Sequence, residues 1–326
     1  MAQSPPNVPT TRIVEPSMRV NALFQIALNI SMSRADRALT DLRLTLGAVR
    51  DGAYQPSLTF ANGDFDLAMA VARGEVDLAA INPSAFLSMA YRGTGPYPEP
   101  LPVRVIAVMP SLDVMLFAVS KRTGVSSLAD VLERRYPLRV SVRRSSAHGT
   151  RFVTDQVLAA LGCSLADIEA WGGSVHYADS PTDEKRLAGV RSREIDAVFD
   201  EGVRGWAPLA RDSGMRFIDL DEPARRALKA VGWAVVPVRT ALPEVESDIM
   251  APSFSGWPLF TREGLSEDLA YRMCQALEEA GERMVWDSDE PVTTADWRGG
   301  KAATPNDVPL HPGADRYYRE RSFLPR

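Results

Sequence analysis

Three short polar segments contain the residue types from which a binding or proton-transfer site is built. They are Asn82-Pro83-Ser84, Ser145–Thr150 and Asp200-Glu201-Gly202. The second segment offers hydroxyl groups, the imidazole of His148 and a glycine, Gly149, at which the backbone can approach a ligand without a Cβ clash. The third segment offers two adjacent carboxyl groups. Hydroxyl and backbone N–H groups bind anions, whereas carboxyl and imidazole groups transfer protons.

Each polar segment follows a run of residues that predicts a buried β-strand. The runs are VDLAAIN (76–82), LRVSVR (138–143) and IDAVFD (195–200). Helical patterns alternate with these strands, which predicts parallel α/β sheets. Because ligands lie beyond the carboxyl ends of the strands in such sheets, we expect the three segments to line one site.

One helix-and-strand unit occurs in each half of the chain. Glu75-Val76-Asp77 matches Glu194-Ile195-Asp196, and counting on from the two aspartates places Asn82 opposite Glu201. The repeat predicts two lobes built in the same way. We expect residues 1–17 to be disordered, residues 18–112 and 239–326 to form one lobe, and residues 113–238 to form the other.

The segment Ser145–Thr150 leads into a predicted helix, and two interpretations of it remain open. The first turn of a helix has free N–H groups and about half a positive charge, which together attract a carboxylate or a phosphate. The alternative is that Ser146 or Thr150 simply caps this helix, as serine and threonine commonly do. In the third segment, successive side chains of an extended chain point to opposite sides. We therefore expect only one of Asp200 and Glu201 to face the cleft.

Composition and charge exclude several classes of function. The 326 residues carry a formal net charge of -5, so the chain has no general attraction to nucleic acid or anionic lipid. The doublet Arg143-Arg144 is interpreted as part of a solvated surface. The sequence lacks the HExxH, GxSxG, GxGxxG and P-loop patterns, and its three histidines do not suggest a metal site. We therefore predict no metal, no cofactor and no nucleophilic triad.

The remaining elements are predicted from periodicity. Leu39, Leu42 and Leu46 predict a helix within residues 35–49, and residues 18–29 predict a first strand. A long helix is expected from Ser266, and the tail from Asp287 onward is expected to cover the surface without building core. No apolar run approaches the ~20 residues of a membrane span.

Four stretches resemble the TAXI branch of the solute receptors of TRAP transporters. They are residues 72–82, 143–162, 192–202 and 311–320, the last of which reads HPGADRYYRE. The similarity extends over most of residues 64–320. The family often has an HPGA tail before paired aromatic residues, which makes the last stretch the most specific. The chain departs from the family after the first strand, where FQIALNISM lacks the usual glycine-rich loop.

The resemblance implies a type II periplasmic-binding-protein-like fold, in which each of two lobes is a mainly parallel sheet flanked by helices. It also implies a small carboxylate ligand, such as an amino acid or a 2-oxo acid, and membrane permease subunits as partners. The ligand-binding residues carried over by position are Asn82, Ser84, Ser145, Ser146, Gly149, Thr150 and Glu201, to which the polar segment adds His148. The resemblance implies a periplasmic location. The N-terminus lacks the apolar core of a signal peptide, which predicts a cytoplasmic protein if Met1 is the true start.

An enzyme on the same fold is the alternative function. Asp200, Glu201 and His148 could supply the proton-transfer groups of a decarboxylase that acts on an aromatic or dicarboxylic acid. A strongly shifted pKa at one of these residues would favour this alternative. A cytoplasmic ligand sensor is a third possibility.

Overall fold

A computed structural model describes most of the chain. It covers the backbone of residues 43–46, 49–50, 53–54, 58–63, 65–238, 245–280 and 293–325, and side chains from residue 65 onward except that of residue 280. The segment 1–17 and the first strand expected at residues 18–29 lie outside the described residues.

Strands and helices are interspersed along the described chain after an opening run of four strands. The strands are β1 (Arg43–Leu46), β2 (Val49–Arg50), β3 (Ala53–Tyr54), β4 (Leu58–Gly63), β5 (Leu78–Ile81), β6 (Val103–Met109), β7 (Leu116–Ser120), β8 (Arg139–Arg143), β9 (Ser174–Ala178), β10 (Ala197–Asp200), β11 (Met215–Phe217), β12 (Val235–Pro237), β13 (Met250–Pro252) and β14 (Trp257–Arg262). The helices are α1 (Leu67–Ala72), α2 (Ser84–Arg92), α3 (Leu128–Glu133), α4 (Gly149–Leu161), α5 (Leu165–Ala170), α6 (Glu184–Ser192), α7 (Ala207–Asp212), α8 (Glu222–Ala230), α9 (Glu267–Ala280) and α10 (Pro312–Glu320).

Two five-stranded sheets form the framework. The first has the order β1-β4-β5-β14-β6, and the second has the order β9-β8-β10-β7-β11. In each sheet, as ordered here from left to right, the third strand pairs in parallel with the second and antiparallel with the fourth. The expected α/β fold of the type II periplasmic-binding-protein-like kind is confirmed. The sheets are mixed, because β7 and β14 run against their neighbours. The predicted lobe boundaries stay a prediction.

Two antiparallel crossing segments lie where the sheets meet: residues 110–115 join β6 of the first sheet to β7 of the second, and residues 253–256 join the two-stranded sheet β12-β13 to β14 of the first. They are hydrogen-bonded to each other: the backbone N–H of Phe254 donates to Asp113 O at 2.8 Å, and that of Gly256 donates to Ser111 O at 3.1 Å. Val114 and Ser253 form an antiparallel bridge. The crossing segments are therefore the place where the sheets meet.

An aromatic cluster fills the core between the two sheets. Phe86 of α2 lies edge-on to Trp233 at a centroid distance of 5.1 Å, and Phe152 of α4 stacks on the same indole at 5.8 Å. Phe254 of the crossing segment completes the cluster, 5.3 Å from Trp233. Since α2 follows a strand of the first sheet and α4 follows a strand of the second, these rings join the two halves by apolar contact.

Two predictions from periodicity are wrong. Residues 43–46 form β1, antiparallel to β4, although a helix was expected across residues 35–49. The letters RLTL alternate with a period of two, which suits a strand. The tail also builds core: α10 packs on α9, and Tyr317 and Tyr318 are buried against it. Their aromatic area outweighs the polar and proline-rich composition around them.

Candidate functional site

The first polar segment is bonded to a crossing segment. Asn82 follows β5, and its Nδ2 donates to the carbonyl oxygens of Phe254 at 3.0 Å and Gly256 at 3.1 Å. The backbone N–H of Ser84, the first residue of α2, donates to Ser255 O at 3.2 Å. The buried hydroxyl of Ser84 has no hydrogen-bond partner within the part of the chain that the structure describes. This end of the site is uncharged and held by backbone contacts.

The second polar segment forms the N-terminus of α4, and the cap is His148. Its Nδ1 accepts a hydrogen bond from the backbone N–H of Thr150 at 3.3 Å, and its carbonyl oxygen accepts those of Arg151 and Phe152. Capping by Ser146 or Thr150 is therefore wrong, because Gly149 begins the helix and the residue before it supplies the cap. The N–H groups of Thr150, Arg151 and Phe152 are therefore already bonded to His148.

Gly149 is a contact point between the two halves of the molecule. A Cβ at this position would lie 2.9 Å from Cε2 of Phe86 and 3.0 Å from Cε1 of Phe254. Both distances are too short for a carbon–carbon contact, so the missing side chain lets α4 approach the two rings. Gly149 and Thr150 are buried, whereas Ser145 and Ser146 are exposed. Ligand binding by this segment stays a prediction, and a ligand reaching Gly149 would have to displace Phe86 and Phe254.

The third polar segment brings both carboxylates onto one guanidinium. Arg143 ends β8, and its Nε lies 2.9 Å from each carboxylate oxygen of Asp200, at the end of β10. Its Nη2 donates to Oε1 of Glu201 at 2.5 Å. The sequence predicted that the two carboxylates point to opposite sides, yet both reach the same guanidinium. Which of the two faces the cleft stays a prediction.

A second buried arginine completes this charged cluster. Arg186 of α6 donates from Nη1 to Asp200 and from Nε to Ser141 Oγ at 2.8 Å. Its side chain is 1% exposed, and its buried Nη2 has no partner among the described residues. Sequence reasoning missed Arg186, and it placed Arg143 on a solvated surface although the side chain is 10% exposed. The available signal was a buried strand ending in Asp200, since a buried carboxylate requires a cation.

The crossing segments bring the three polar segments together. Asp113 accepts a hydrogen bond from the backbone N–H of Gly202 through Oδ2 at 2.9 Å, and its carbonyl oxygen accepts that of Phe254. Phe254 in turn accepts from Asn82 and lies against Gly149. Residues 82, 149 and 202 are thus linked through two residues that the sequence did not single out.

Burial and neighbouring charge shift the pKa of three groups in the cluster. Burial and the adjacent Arg143 lower the pKa of His148 to about 4, so the imidazole is neutral at pH 7. Burial alone would raise the pKa of Asp200, but Arg143 and Arg186 hold it below its usual value. Burial raises the pKa of Glu201 to about 7; Arg143 opposes this shift, and Asp113 and Asp200 add to it.

Other features of the described residues lie elsewhere or are not found. Two cavities of about 480 and 460 Å³ are lined by residues such as Arg216 and Tyr271, and neither includes any of the eight predicted ligand-binding residues. No group of three or more His, Cys, Asp or Glu side chains in the described ranges is arranged to hold a metal ion. None of the helices described is long and apolar enough to cross a membrane.

Comparison with protein families shows to which family the chain belongs. The model of the NMT1-like family matches residues 51–321, a range that contains all three polar segments. The chain belongs to the NMT1-like family. The matched range of this NMT1-like chain also contains both crossing segments and both arginines of the charged cluster. No curated protein sequence matches the chain.

Two of the solved structures that are similar to the chain hold a small ligand. PhnD1 from Prochlorococcus marinus, in complex with methylphosphonate, is 11% identical with a TM-score of 0.40, and the match covers 81% of this chain and 88% of that one. The alkanesulfonate-binding protein SsuA from Xanthomonas axonopodis pv. citri, bound to MOPS, is 15% identical with a TM-score of 0.33. That match covers 68% of this chain and 61% of SsuA, so the chain spans less than two thirds of that protein.

Proposed function

We propose that this NMT1-like protein is a solute receptor that captures a small organic anion between its two sheets. The observation that carries the proposal is the buried cluster of Arg143 and Arg186 at the carboxyl ends of β8 and β10, beside the N-terminus of α4. Strand ends and helix N-termini are the usual places for an anionic ligand in an α/β fold. Guanidinium groups bind carboxylates through paired hydrogen bonds.

Capture would require the two halves to move relative to each other. Phe86 and Phe254 lie against Gly149, so a ligand gains access when α2 and α4 separate. The crossing segments are the natural hinge, because they are the short connections between the sheets. An anion that contacts both halves would shift the population towards the closed form. We further propose that the closed form delivers the ligand to a membrane permease of the TRAP type, as the TAXI resemblance implies.

Thermal unfolding in the presence of candidate ligands tests the receptor function. The panel contains L-glutamate, 2-oxoglutarate, succinate and methylphosphonate, with glycine betaine as a control without net charge. A ligand at about 100 times its Kd adds about 2.7 kcal/mol to the free energy of unfolding. We expect at least one acid to raise Tm without being consumed, and small-angle scattering to show a more compact particle. If no acid raises Tm or binds in calorimetry, the receptor proposal is wrong.

A decarboxylase is the second candidate, because Glu201 has the raised pKa expected of a proton-transfer group at neutral pH. Asp200 is fixed by two arginines and His148 caps α4, so Glu201 is the residue best placed to donate a proton. Release of CO2 from an acid of the panel, abolished by Glu201→Gln, would support this function. Binding without turnover would favour the receptor.

A further inference from the structure

Resting on the proposed receptor function, we propose that the carboxylate of Glu201 is an internal competitor of the ligand. An organic anion would bind Arg143 by displacing Glu201, while Asp200 stays in place as the counter-ion of the two arginines. Two adjacent carboxylates thus have different roles, and Arg143 Nη2 is the donor that the ligand takes over.

The contacts of the two carboxylates differ in number and in exposure. Asp200 accepts hydrogen bonds from Arg143 Nε, Arg186 Nη1 and the backbone N–H of Glu201, and its side chain is fully buried. Glu201 accepts from Arg143 Nη2, and its side chain is 15% exposed. The Glu201 contact is therefore the more exposed of the two, whereas replacing Asp200 would break three contacts inside the protein.

The backbone around Glu201 is fixed, so its side chain can leave without moving the loop. The indole Nε1 of Trp206 donates to the Glu201 carbonyl oxygen at 2.9 Å, and the Glu201 N–H donates to Asp200 Oδ1 at 2.9 Å. The next N–H, of Gly202, donates to Asp113 Oδ2. Once a ligand is in the site, displacement of Glu201 requires rotation about its side-chain bonds and no movement of this loop.

The same cluster has buried donors that an anion would satisfy. Arg186 Nη2 is buried without a partner among the described residues, and so is Nε of Arg151 in the first turn of α4. Buried N–H groups are rarely left without an acceptor. A ligand with several oxygen atoms supplies more acceptors than the single carboxylate of Glu201, which favours exchange over simple addition.

Proton uptake would accompany the exchange. Four groups face Glu201: Arg143 from β8, Asp200 from β10, Asp113 from a crossing segment and His148 from the start of α4. Arg143 attracts the carboxylate and the two aspartates repel it, while His148 is neutral near pH 7. Once Arg143 holds the ligand, Glu201 loses its cation and is protonated more readily, in line with its raised pKa. Affinity for an anion should then fall by about tenfold per pH unit above pH 7.

Calorimetric titration with 2-oxoglutarate, or with the carboxylic acid of the panel that raises Tm most, tests the exchange at about pH 6 and about pH 8. Wild type should bind about tenfold more weakly at the higher pH. Glu201→Gln should bind equally well at both, and about tenfold more tightly than wild type at about pH 8. At about pH 8, titrations in buffers of different ionisation enthalpy should show uptake of about one proton by wild type and none by the variant.

The matched control is Glu263→Gln, which makes the same change at a half-exposed carboxylate paired with Arg104. It should leave affinity and pH dependence unchanged. Weaker binding by Glu201→Gln at both pH values, or a wild-type affinity independent of pH, would overturn the exchange and leave the receptor function intact. If neither protein bound any acid of the panel, both proposals would be wrong.

Discussion

The unit that ends at Asn82 and the unit that ends at Glu201 share their local structure. In each, a left-handed residue follows a helix, Gly74 at φ 76° or Arg193 at φ 64°, and a buried four-residue strand comes after it. Each strand pairs in parallel with one neighbour and antiparallel with the strand on its other side. The repeat recognised in the sequence is therefore a structural repeat.

The two units differ in the residues just beyond the strand. Asn82 donates to two carbonyl oxygens of a crossing segment, so the first unit ends in an uncharged hydrogen-bonded contact. The second ends in Asp200 and Glu201, which share Arg143. The first unit is therefore hydrogen-bonded to a crossing segment, whereas the second unit holds the charged cluster. Ligand affinity should depend on the second unit, and the relative position of the sheets should depend on the first.

Neutralising Asp200 should give the largest effect. Asp200→Asn leaves the buried Arg186 without its carboxylate and Arg143 with Glu201 alone, and breaking a buried pair in this way costs about 3–5 kcal/mol. The corresponding fall in Tm is roughly 10 °C. Asp77→Asn makes the same change in the first unit, where Asp77 and Arg262 are both partly exposed, and should cost about 1 kcal/mol or less. Equal losses in urea unfolding would contradict the difference between the units.

Glu201 should make the second unit sensitive to pH. Its pKa is raised to about 7 in the folded protein, so the unfolded chain releases this proton first as the pH rises. Wild type should therefore lose about 3 kcal/mol of unfolding free energy, relative to Glu201→Gln, between about pH 4.5 and pH 7. The loss levels off above pH 7, where both states are ionised. The measurement is urea unfolding across this pH range.

Asn82→Ala is the counterpart in the first unit. Removing the amide leaves the carbonyl oxygens of Phe254 and Gly256 without this donor, which should cost about 1–3 kcal/mol. Because no proton is involved, the cost should be the same at each pH. A cost that varied with pH, or parallel pH profiles of wild type and Glu201→Gln, would show that the units do not differ as proposed.

The sequence predicted the framework because local pattern determines it. The apolar runs of β5, β8 and β10 and the amphipathic pattern of α4 are visible without tertiary information. Only part of the charged cluster could be predicted from the sequence. Glu201 was predicted from its position after a strand, but the burial of Arg143 depends on Asp200 and Arg186, which meet it only in the folded chain. From sequence alone, a charged side chain is expected to be exposed to solvent.

The predicted role of Gly149 shows the same limit. The sequence indicated a close approach of the backbone, but not which group approaches. In the structure that group is a pair of aromatic rings. Asp113 and Phe254 gave no sequence signal, because their contacts come from two crossing segments far apart in the chain.

Gly149→Ala tests the contact that joins the two halves. The added methyl group would meet Phe86 and Phe254 at about 3 Å, and overpacking of this kind costs about 1–3 kcal/mol. Phe86→Leu should make room, so Gly149→Ala should cost less in that background. A double-mutant cycle measured by thermal unfolding gives the coupling. Independent costs would mean that the rings are not in contact with Gly149.

Ser146→Ala should have the smallest effect on stability. Ser146 is exposed in the turn before α4, and His148 provides the cap, so the loss should stay within about 0.5 kcal/mol. The comparison variant is His148→Ala, which removes the cap and should cost about 1 kcal/mol. Ligand titration of Ser146→Ala then separates the two roles assigned to the turn. A large loss of affinity with unchanged Tm would place the hydroxyl on the ligand, and a large loss of Tm would contradict the assignment of the cap to His148.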